Sequence, residues 1–499
     1  MAYKIYPVLE NDFQDYSVKI NGKEVPLDRA RVSKVPFNRR WPGHQRPLDQ
    51  TEEINFLSLS LSEPLNFEII PKRKFENVII RPLEANIKPE IKDGVISFTL
   101  DKPQYFTVEP FGRNNALHIF ADPMEEKRED NNEVIYFGKG EHFVDIIHLK
   151  SNQTLYLDEG AVVYGCIRAM DAENIKIIGR GILDNSKNKE RILFEVEDTP
   201  NDSAVKNAKR LHTVQLEYCT NVEIEGITIR DSLVYNIRPI ACKNLTIKNV
   251  KIIGCWRYNS DGIDMHNCEN VLIENCFIRT FDDSICVKGF DCYYEGDVEE
   301  AVKKAMYRNG KAYDVFKNVL VKNCVIWNDW GKCLEIGAET RAEEISNIKF
   351  ENCNIIHVSA SVLDSFNIDY ALVHNVNYKN ISVEYDDIIP ELILQRSDKD
   401  VYKNKNLDYA PNLISVITAY HYEYSAGGSR RGKTEKITFE NIRLYSRQKP
   451  TFNFEGYDES HKTKDILIKN LYWNGRLLEE LNDVKTNEFT ENIKYLWEK

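Results

Sequence analysis

One phrase recurs nine times along this chain, and its period restricts the fold more than any other feature. The phrase is Asn, apolar, any residue, apolar, charged or apolar, Asn or Gly, then a further apolar pair. It reads NIKIIGRGI at Asn174, NVEIEGITI at Asn221, NLTIKNVKI at Asn244 and NVLIENCFI at Asn270. It continues as NVLVKNCVI at Asn318, NIKFENCNI at Asn347 and NVNYKNISV at Asn375, and KITFENIRL from Lys436 and DILIKNLYW from Asp465 are divergent closing copies. Uninterrupted spacings are 23, 26, 29 and 28 residues. A period in that range marks stacked repeats. Each unit has apolar residues at alternate positions and no helical periodicity, so it is a β-coil. One coil cannot bury its own apolar face, whereas stacked coils share a continuous core. The recurring Asn suits a left-handed turn, and its amide can hydrogen-bond along the stack. The expected fold is all-β, with residues 136–499 forming a parallel β-helix.

Residues 1–135 lack the repeat. Short β-rich segments (Val78–Ile80, Val95–Leu100, Tyr105–Val108, Ala116–Phe120) alternate with turn signals such as Asp93-Gly94, which predicts an N-terminal β-sandwich. Its stretch Pro36–Glu52, with Trp41 and His44, is a polar, aromatic loop. Packing on the neighbouring domain is the first reading for it and ligand contact the second. Two insertions break the repeats. Residues 289–317 include a charged helical piece, Asp297–Tyr307, and residues 385–434 contain AGGSRRGK. Long ordered loops of this kind serve as lids or binding walls.

The formal net charge is −12 over 499 residues. An acidic surface repels nucleic acid and anionic membrane, and more weakly a uronate polymer. The start of the chain has no basic segment followed by an apolar core, and no apolar run is long enough to span a bilayer. Six of the eleven cysteines fall at repeat-equivalent places: Cys219, Cys242 and Cys268 before a repeat, Cys276, Cys324 and Cys353 after its second Asn. Stacked thiols explain that pattern better than disulfides. The expectation is a reduced, cytoplasmic protein, or a secreted one if a signal segment has been removed. The reading leaves room for a homo-oligomer. No phosphate-cradling loop, metal-binding Cys-x-x-Cys or Ser-His-Asp set is present, so neither cofactor nor metal is expected. His212, His266, His357 and His374 are scattered and read as core or surface residues.

The chemistry concentrates in NSDGIDMHNCENVLIENCFIRTFDDSICVKG, Asn259–Gly289. Asp261 and Asp282 are 21 residues apart, close to one coil. Neighbouring coils lie about 4.8 Å apart, so Asp261 and the Asp282–Asp283 pair become neighbours in space. Adjacent residues of a true strand face opposite ways, so both aspartates reaching one cleft implies a bulge or strand end. Three carboxylates that close cannot all stay ionised, which leaves an acid beside bases, as glycoside hydrolysis requires. Solvated turn aspartates are the plainer alternative at this point.

The stretches VEIEGITIRDSLVYNIRP (Val222–Pro239), NSDGID (Asn259–Asp264), DDSICVKG (Asp282–Gly289) and WGKCLEIGAE (Trp330–Glu339) carry a resemblance. Through them, residues Arg210 to Glu339 resemble the polygalacturonase-like enzymes of glycoside hydrolase family 28, whose clan relative, the dextranase family 49, also places a β-sandwich ahead of the helix. The resemblance implies a right-handed parallel β-helix and hydrolysis with inversion. It makes Asp282 the general acid, with Asp261 and Asp283 holding and activating water. It implies closer carboxylates than inversion usually requires.

The departures bear on substrate. Gly331-Lys332-Cys333 stands where the family has Gly-His-Gly, and SASVLDSFNIDYA (Ser359–Ala371) stands where it has an Arg-Ile-Lys that grips a uronate carboxylate. With the acidic charge, this predicts a neutral or modified oligosaccharide; the lack of a signal segment favours a short, imported substrate and so cutting from one end, with an insertion blocking one end of the cleft. Candidate substrate contacts are Asn236, Asn259, Lys288, Lys332, Glu335, Trp330 and Tyr258, with Tyr235, Arg238 and Glu339 nearby. Lys288 matches a family lysine. Glu335 and Glu339 read alternatively as partners of Lys332 and Arg341. Of Trp256, Tyr258 and Trp330, one is expected to stack on a sugar. The competing readings are a polygalacturonase or rhamnogalacturonan-type pectin hydrolase, a polysaccharide lyase using Lys332 or Arg257 as base, and a non-catalytic carbohydrate-binding solenoid.

Overall fold

The computed structural model describes residues 2–498 except 10–11, 36–37, 41–47, 126–131, 188–211, 258, 291–297, 390–392, 396–407, 423–424 and 426–429. From Glu133–Phe137 to Thr490–Leu496, 31 strands form one continuous sheet that winds into stacked coils. Their neighbours in the stack are parallel, apart from Arg476–Leu477, which turns back antiparallel on Thr463–Trp473. Ile263 pairs with Ile285, Ile285 with Leu334, Leu334 with Leu363, Leu363 with Ile414 and Ile414 with Phe452. Parallel strands joined this way wind right-handed. The architecture is a right-handed parallel β-helix.

The repeated phrase explains the coil. Its alternate apolar residues, such as Val271 and Ile273, point inward and are buried in one core running the length of the stack. Its first Asn adopts left-handed backbone at every full copy, with φ between 55° and 61°. The amides form the expected ladder: Asn221 donates to Asn174 at 3.1 Å, Asn244 to Asn221 at 2.9 Å, and Asn270 to Asn244 at 3.0 Å. In the divergent copies Lys436 and Asp465 keep the same conformation, at φ 57° and 55°. All ten described cysteines are free and buried. Cys292 lies outside the described residues.

The first 123 residues form two sheets. One has six strands, including Thr51–Leu61, Gln104–Arg113 and Leu117–Pro123, and the other has five, including Tyr16–Ile20, Leu65–Pro71 and Val95–Leu100. Val18, Phe67 and Ile69 of one meet Leu57, Phe106 and Ile119 of the other in a shared core. The six-stranded sheet has a second apolar face. Val32, Ile54, Phe56 and Phe120 pack on Ile253, Phe277, Val325 and Trp327 of the coils. The strand Glu133–Phe137 belongs to the coil stack, so the coils begin slightly before residue 136.

The insertions take definite places. The helix Val298–Met306 covers the region expected to be helical, and its Val302 and Met306 pack on Ile240 and Phe290. Within 385–434, Ile393–Gln395 pairs in parallel with Asn38–Arg40 of the N-terminal loop. Trp41 and His44 lie outside the described residues.

Candidate active site

Asp261 and Asp283 each stand two residues ahead of the first strand of a coil, Ile263–His266 and Ile285–Lys288, which pair in register. The backbone N–H of Gly262 donates to the carbonyl of Asp283 at 2.8 Å. The coil-mate of Asp261 is therefore Asp283, and Asp282 sits one residue earlier in the same bend. This is a strand end, which is how two adjacent aspartates reach one cleft. Carboxylate oxygens of Asp261, Asp282 and Asp283 lie within 4.8 Å of one another.

Lys332 continues this column one coil further, because Ile285 pairs with Leu334. Its backbone N–H donates to Asp283 Oδ1 at 2.9 Å. Beside it, Gly331 packs directly on the aspartate bend: a Cβ there would lie 2.4 Å from the Asp283 nitrogen and 2.5 Å from the Asp282 carbonyl carbon. The buried Asn328 amide ties the bend together, donating to the Asp282 carbonyl at 2.7 Å and the Lys332 carbonyl at 3.1 Å. Thr280 Oγ1 also donates to the Asp282 carbonyl, at 2.6 Å.

A second, buried column stands beside the first: Asp264, Cys286, Glu335 and Asp364 occupy one register position in successive coils, and Glu335 borders the cleft. Lys288 Nζ reaches into the carboxylates between the columns. It lies 2.9 Å from Asp264, 3.4 Å from Asp283, and 3.8 Å from both Asp261 and Glu339. Lys332 Nζ is held between Glu335 at 2.6 Å and Asp364 at 2.8 Å.

These surroundings separate the acids. Burial, then Asp264 and Asp282, push the Asp261 carboxyl well above the usual range, and Lys288 only partly offsets them. Burial also opposes ionisation of Asp283, but Lys288, Lys332 and the Lys332 N–H outweigh it and hold Asp283 low. Burial and the nearby Asp283 push the Glu335 carboxyl up, with the adjoining Lys332 partly offsetting them. Lys332 is held cationic despite burial, chiefly by Asp364 and Glu335. A lysine so held cannot act as a base. Arg257 is buried and paired with Asp231 at 2.5 Å, so neither base offered for a lyase is available.

The cleft has a volume of about 250 Å³ and is bordered by the three aspartates, Lys288, Lys332 and Glu335, with Asn259, Trp330, Tyr235, Glu339 and Phe366 around them. The Asn259 N–H donates to Asp282 Oδ2 at 3.4 Å. Trp330 stacks on Phe281, ring centres 5.7 Å apart. Asn236 is a correction. It is fully buried, and its amide donates to the Asp261 carbonyl at 2.7 Å, so it fixes that aspartate and does not reach a sugar. Trp256 is also buried, with its indole N–H on Asp231 at 3.2 Å. Tyr258 lies outside the described residues. Glu335 has Lys332 as partner, as one reading anticipates, but Glu339 meets Lys288 while Arg341 is near Asp369 at 3.6 Å.

Asp264, Asn328 and Asp364 complete the site without having been singled out from the sequence. Asp264 lies within the NSDGID motif itself. Asp364 needs the register with Glu335 to be recognised.

The profile of glycosyl hydrolases family 28 matches residues 145–407, more than half the chain and all three aspartates. This chain belongs to glycosyl hydrolases family 28. It is 27% identical over 210 residues to a polygalacturonase of Gossypium barbadense, an alignment covering 40% of this chain and 49% of the relative. It is 38% identical over 76 residues to a polygalacturonase of Brassica napus, covering 15% of this chain and 19% of that one. This family 28 chain thus spans about half the length of the cotton relative it matches. Among solved structures, it is similar to an exopolygalacturonase from Thermotoga maritima, with a TM-score of 0.49, 20% identity, and coverage of 70% of this chain and 86% of that one. It is also similar to Dex49A from Penicillium minioluteum, with a TM-score of 0.49, 14% identity, and coverage of 95% and 86%.

Proposed function

We propose that this chain is an inverting O-glycoside hydrolase that removes units from the end of a neutral or modified oligosaccharide. The observation that carries the proposal is the split within the aspartate trio. Acids within 4.8 Å of one another are driven in opposite directions, Asp261 towards the protonated form and Asp283 towards the ionised form. A site poised in this way holds a proton to give and a carboxylate to receive one. Asp282 acts as the general acid on the leaving oxygen; Asp261 and Asp283 hold and activate the attacking water, with the ionised Asp283 taking its proton.

The neutral-sugar reading is supported by how the cleft lysines are used. Lys288 is surrounded by Asp264, Asp283, Asp261 and Glu339, and Lys332 by Glu335 and Asp364. A sugar carboxylate would meet lysines already committed and additional negative charge. End-wise cutting is supported by Val35 against the cleft residue Trp330, which brings the N-terminal part of the chain to one border of the cleft.

The relatives named polygalacturonase favour a second reading, a galacturonan-type substrate. A panel of neutral aryl glycosides, neutral oligosaccharides and oligogalacturonides, tested with wild type and Asp282→Asn, separates the two. The proposal expects neutral glycosides to be cleaved, Asp282→Asn to lose at least about 10²-fold in kcat, and no ultraviolet-absorbing double bond in the product. Better cleavage of oligogalacturonides would reject the neutral substrate. Unchanged activity in Asp282→Asn would reject the catalytic assignment.

A further inference from the structure

Two segments build the catalytic bend: Arg279–Asp283, and Trp327–Lys332 on the next coil. Both are gripped from the N-terminal sheets. Arg113, at the end of the strand Gln104–Arg113, is paired with Asp329 Oδ1 at 2.5 Å and with Asp386 at 2.7 Å. The same Asp329 oxygen accepts the Trp327 indole N–H at 2.8 Å, and the Asp329 N–H donates to the Thr280 carbonyl at 3.0 Å. Val35 packs on Phe281 and Trp330, the residues flanking Asp282 and Gly331. Arg279 lies 3.8 Å over the Trp327 ring and donates to the Ser33 carbonyl at 3.4 Å. From Asp329 to Lys332 the turn is four residues long. Its far end supplies the N–H on Asp283.

We infer that the N-terminal sheets are a working part of the active site, with Arg113, acting through Asp329, and Val35, acting through Trp330, as positioning residues for Asp282 and Asp283. The inference rests on the catalytic role proposed above for that pair. Apolar contact and ion pairs hold the seam elsewhere too, as with Phe56 and Phe120 on Phe277 and Lys251 on Asp122. The Arg113–Asp329 pair differs in its place, on the one turn that fixes the catalytic carboxylates. Charged groups taken out of water hold direction as well as distance, so a small rotation of Asp329 displaces the Lys332 N–H from Asp283.

The test compares Arg113→Ala, Arg113→Lys and Val35→Ala with Tyr105→Phe. The last loses a 2.5 Å bond to Asp122 elsewhere on the same seam. Arg113→Ala is expected to lower kcat about tenfold or more, with KM changed less than about twofold. The acid limb of its pH–rate profile moves upward as the Lys332 N–H leaves Asp283. Arg113→Lys restores part of both effects. Tyr105→Phe lowers the melting temperature and leaves both unchanged. Arg113→Ala that melts earlier with kcat and acid limb intact would overturn the inference. If Arg113→Ala does not fold, unchanged kcat and acid limb in both Arg113→Lys and Val35→Ala do the same. Asp282→Asn is run alongside; if it is fully active, the catalytic reading itself has failed. In that case the Asp283 titration, followed by carboxyl-carbon NMR in free Arg113→Lys protein, still decides the positioning claim. An upward shift supports it and no shift overturns it.

Discussion

A methyl group on Gly331 would collide with the backbone of Asp282 and Asp283, at 2.5 and 2.4 Å. Neither contact is with a flexible side-chain end, so the bend itself must move. Gly331→Ala is therefore expected to lower kcat about 10²-fold with the far-ultraviolet spectrum unchanged. Lys288 acts on the same residues through charge, lowering both Asp261 and Asp283. Lys288→Met removes that influence, so both carboxyls shift upward and the acid limb of kcat/KM moves to higher pH; an unmoved limb would show that neither aspartate controls the rate. Asp261, Asp282 and Asp283 were legible in the sequence because the repeat period brings them together. Their pairing needed correction by one residue, since Asp261 aligns with Asp283. Asn236 was misread because a polar residue on a solenoid strand gives no sign of which way it points. Asp364 was missed because its importance depends on a lysine 32 residues away.

At the scale of elements, the N-terminal sheets and the coils meet through a buried histidine. His357 on the strand Asn354–His357 contacts Glu109 at 2.9 Å and Asp386 at 2.8 Å. Burial lowers its affinity for a proton, but Asp386 and Glu109 together outweigh burial and raise it above the usual 6.5. A raised folded-state value means that the protonated ring adds stability at low pH, and that this is lost as pH rises through the raised value. Glu109 is shifted down, with His357 and Arg81 overcoming burial, so its contribution appears above the ordinary carboxylate range and is lost as pH falls. Thermal melting should weaken as pH is raised above about 6.5, and His357→Gln should remove that dependence; an equally steep decline in the variant would assign it to other groups. The strands and the helix Val298–Met306 could be anticipated from local periodicity. The pairing of Asn38–Arg40 with Ile393–Gln395 could not, because it joins segments over 350 residues apart with no repeat to align them.

Across the whole molecule, one long core and two amide ladders, one through Asn270 and one through Asn380, tie the coils to their neighbours. Asn270 donates to Asn244 and accepts from Asn318, both at 3.0 Å, with φ at 56°. Asn270→Ala loses both bonds and keeps a backbone conformation unfavourable for alanine, so it is expected to cost about 1–3 kcal/mol of stability. The ladder residue lies away from the cleft, so kcat should not change, and a denaturant melt beside a rate assay checks both. The solenoid was legible because its constraint repeats every coil. Which sugar it receives was not, because that depends on carboxylates and lysines from four different coils neutralising one another.

The central claim is that the aspartate trio breaks a glycosidic bond by direct attack of water. Proton NMR of the first-formed anomer, recorded before mutarotation during hydrolysis of the best substrate from the glycoside panel, tests it most directly. The account predicts a product anomer opposite to that of the substrate, and none formed by Asp282→Asn above the background rate. Retained configuration, or undiminished product from the variant, would contradict it.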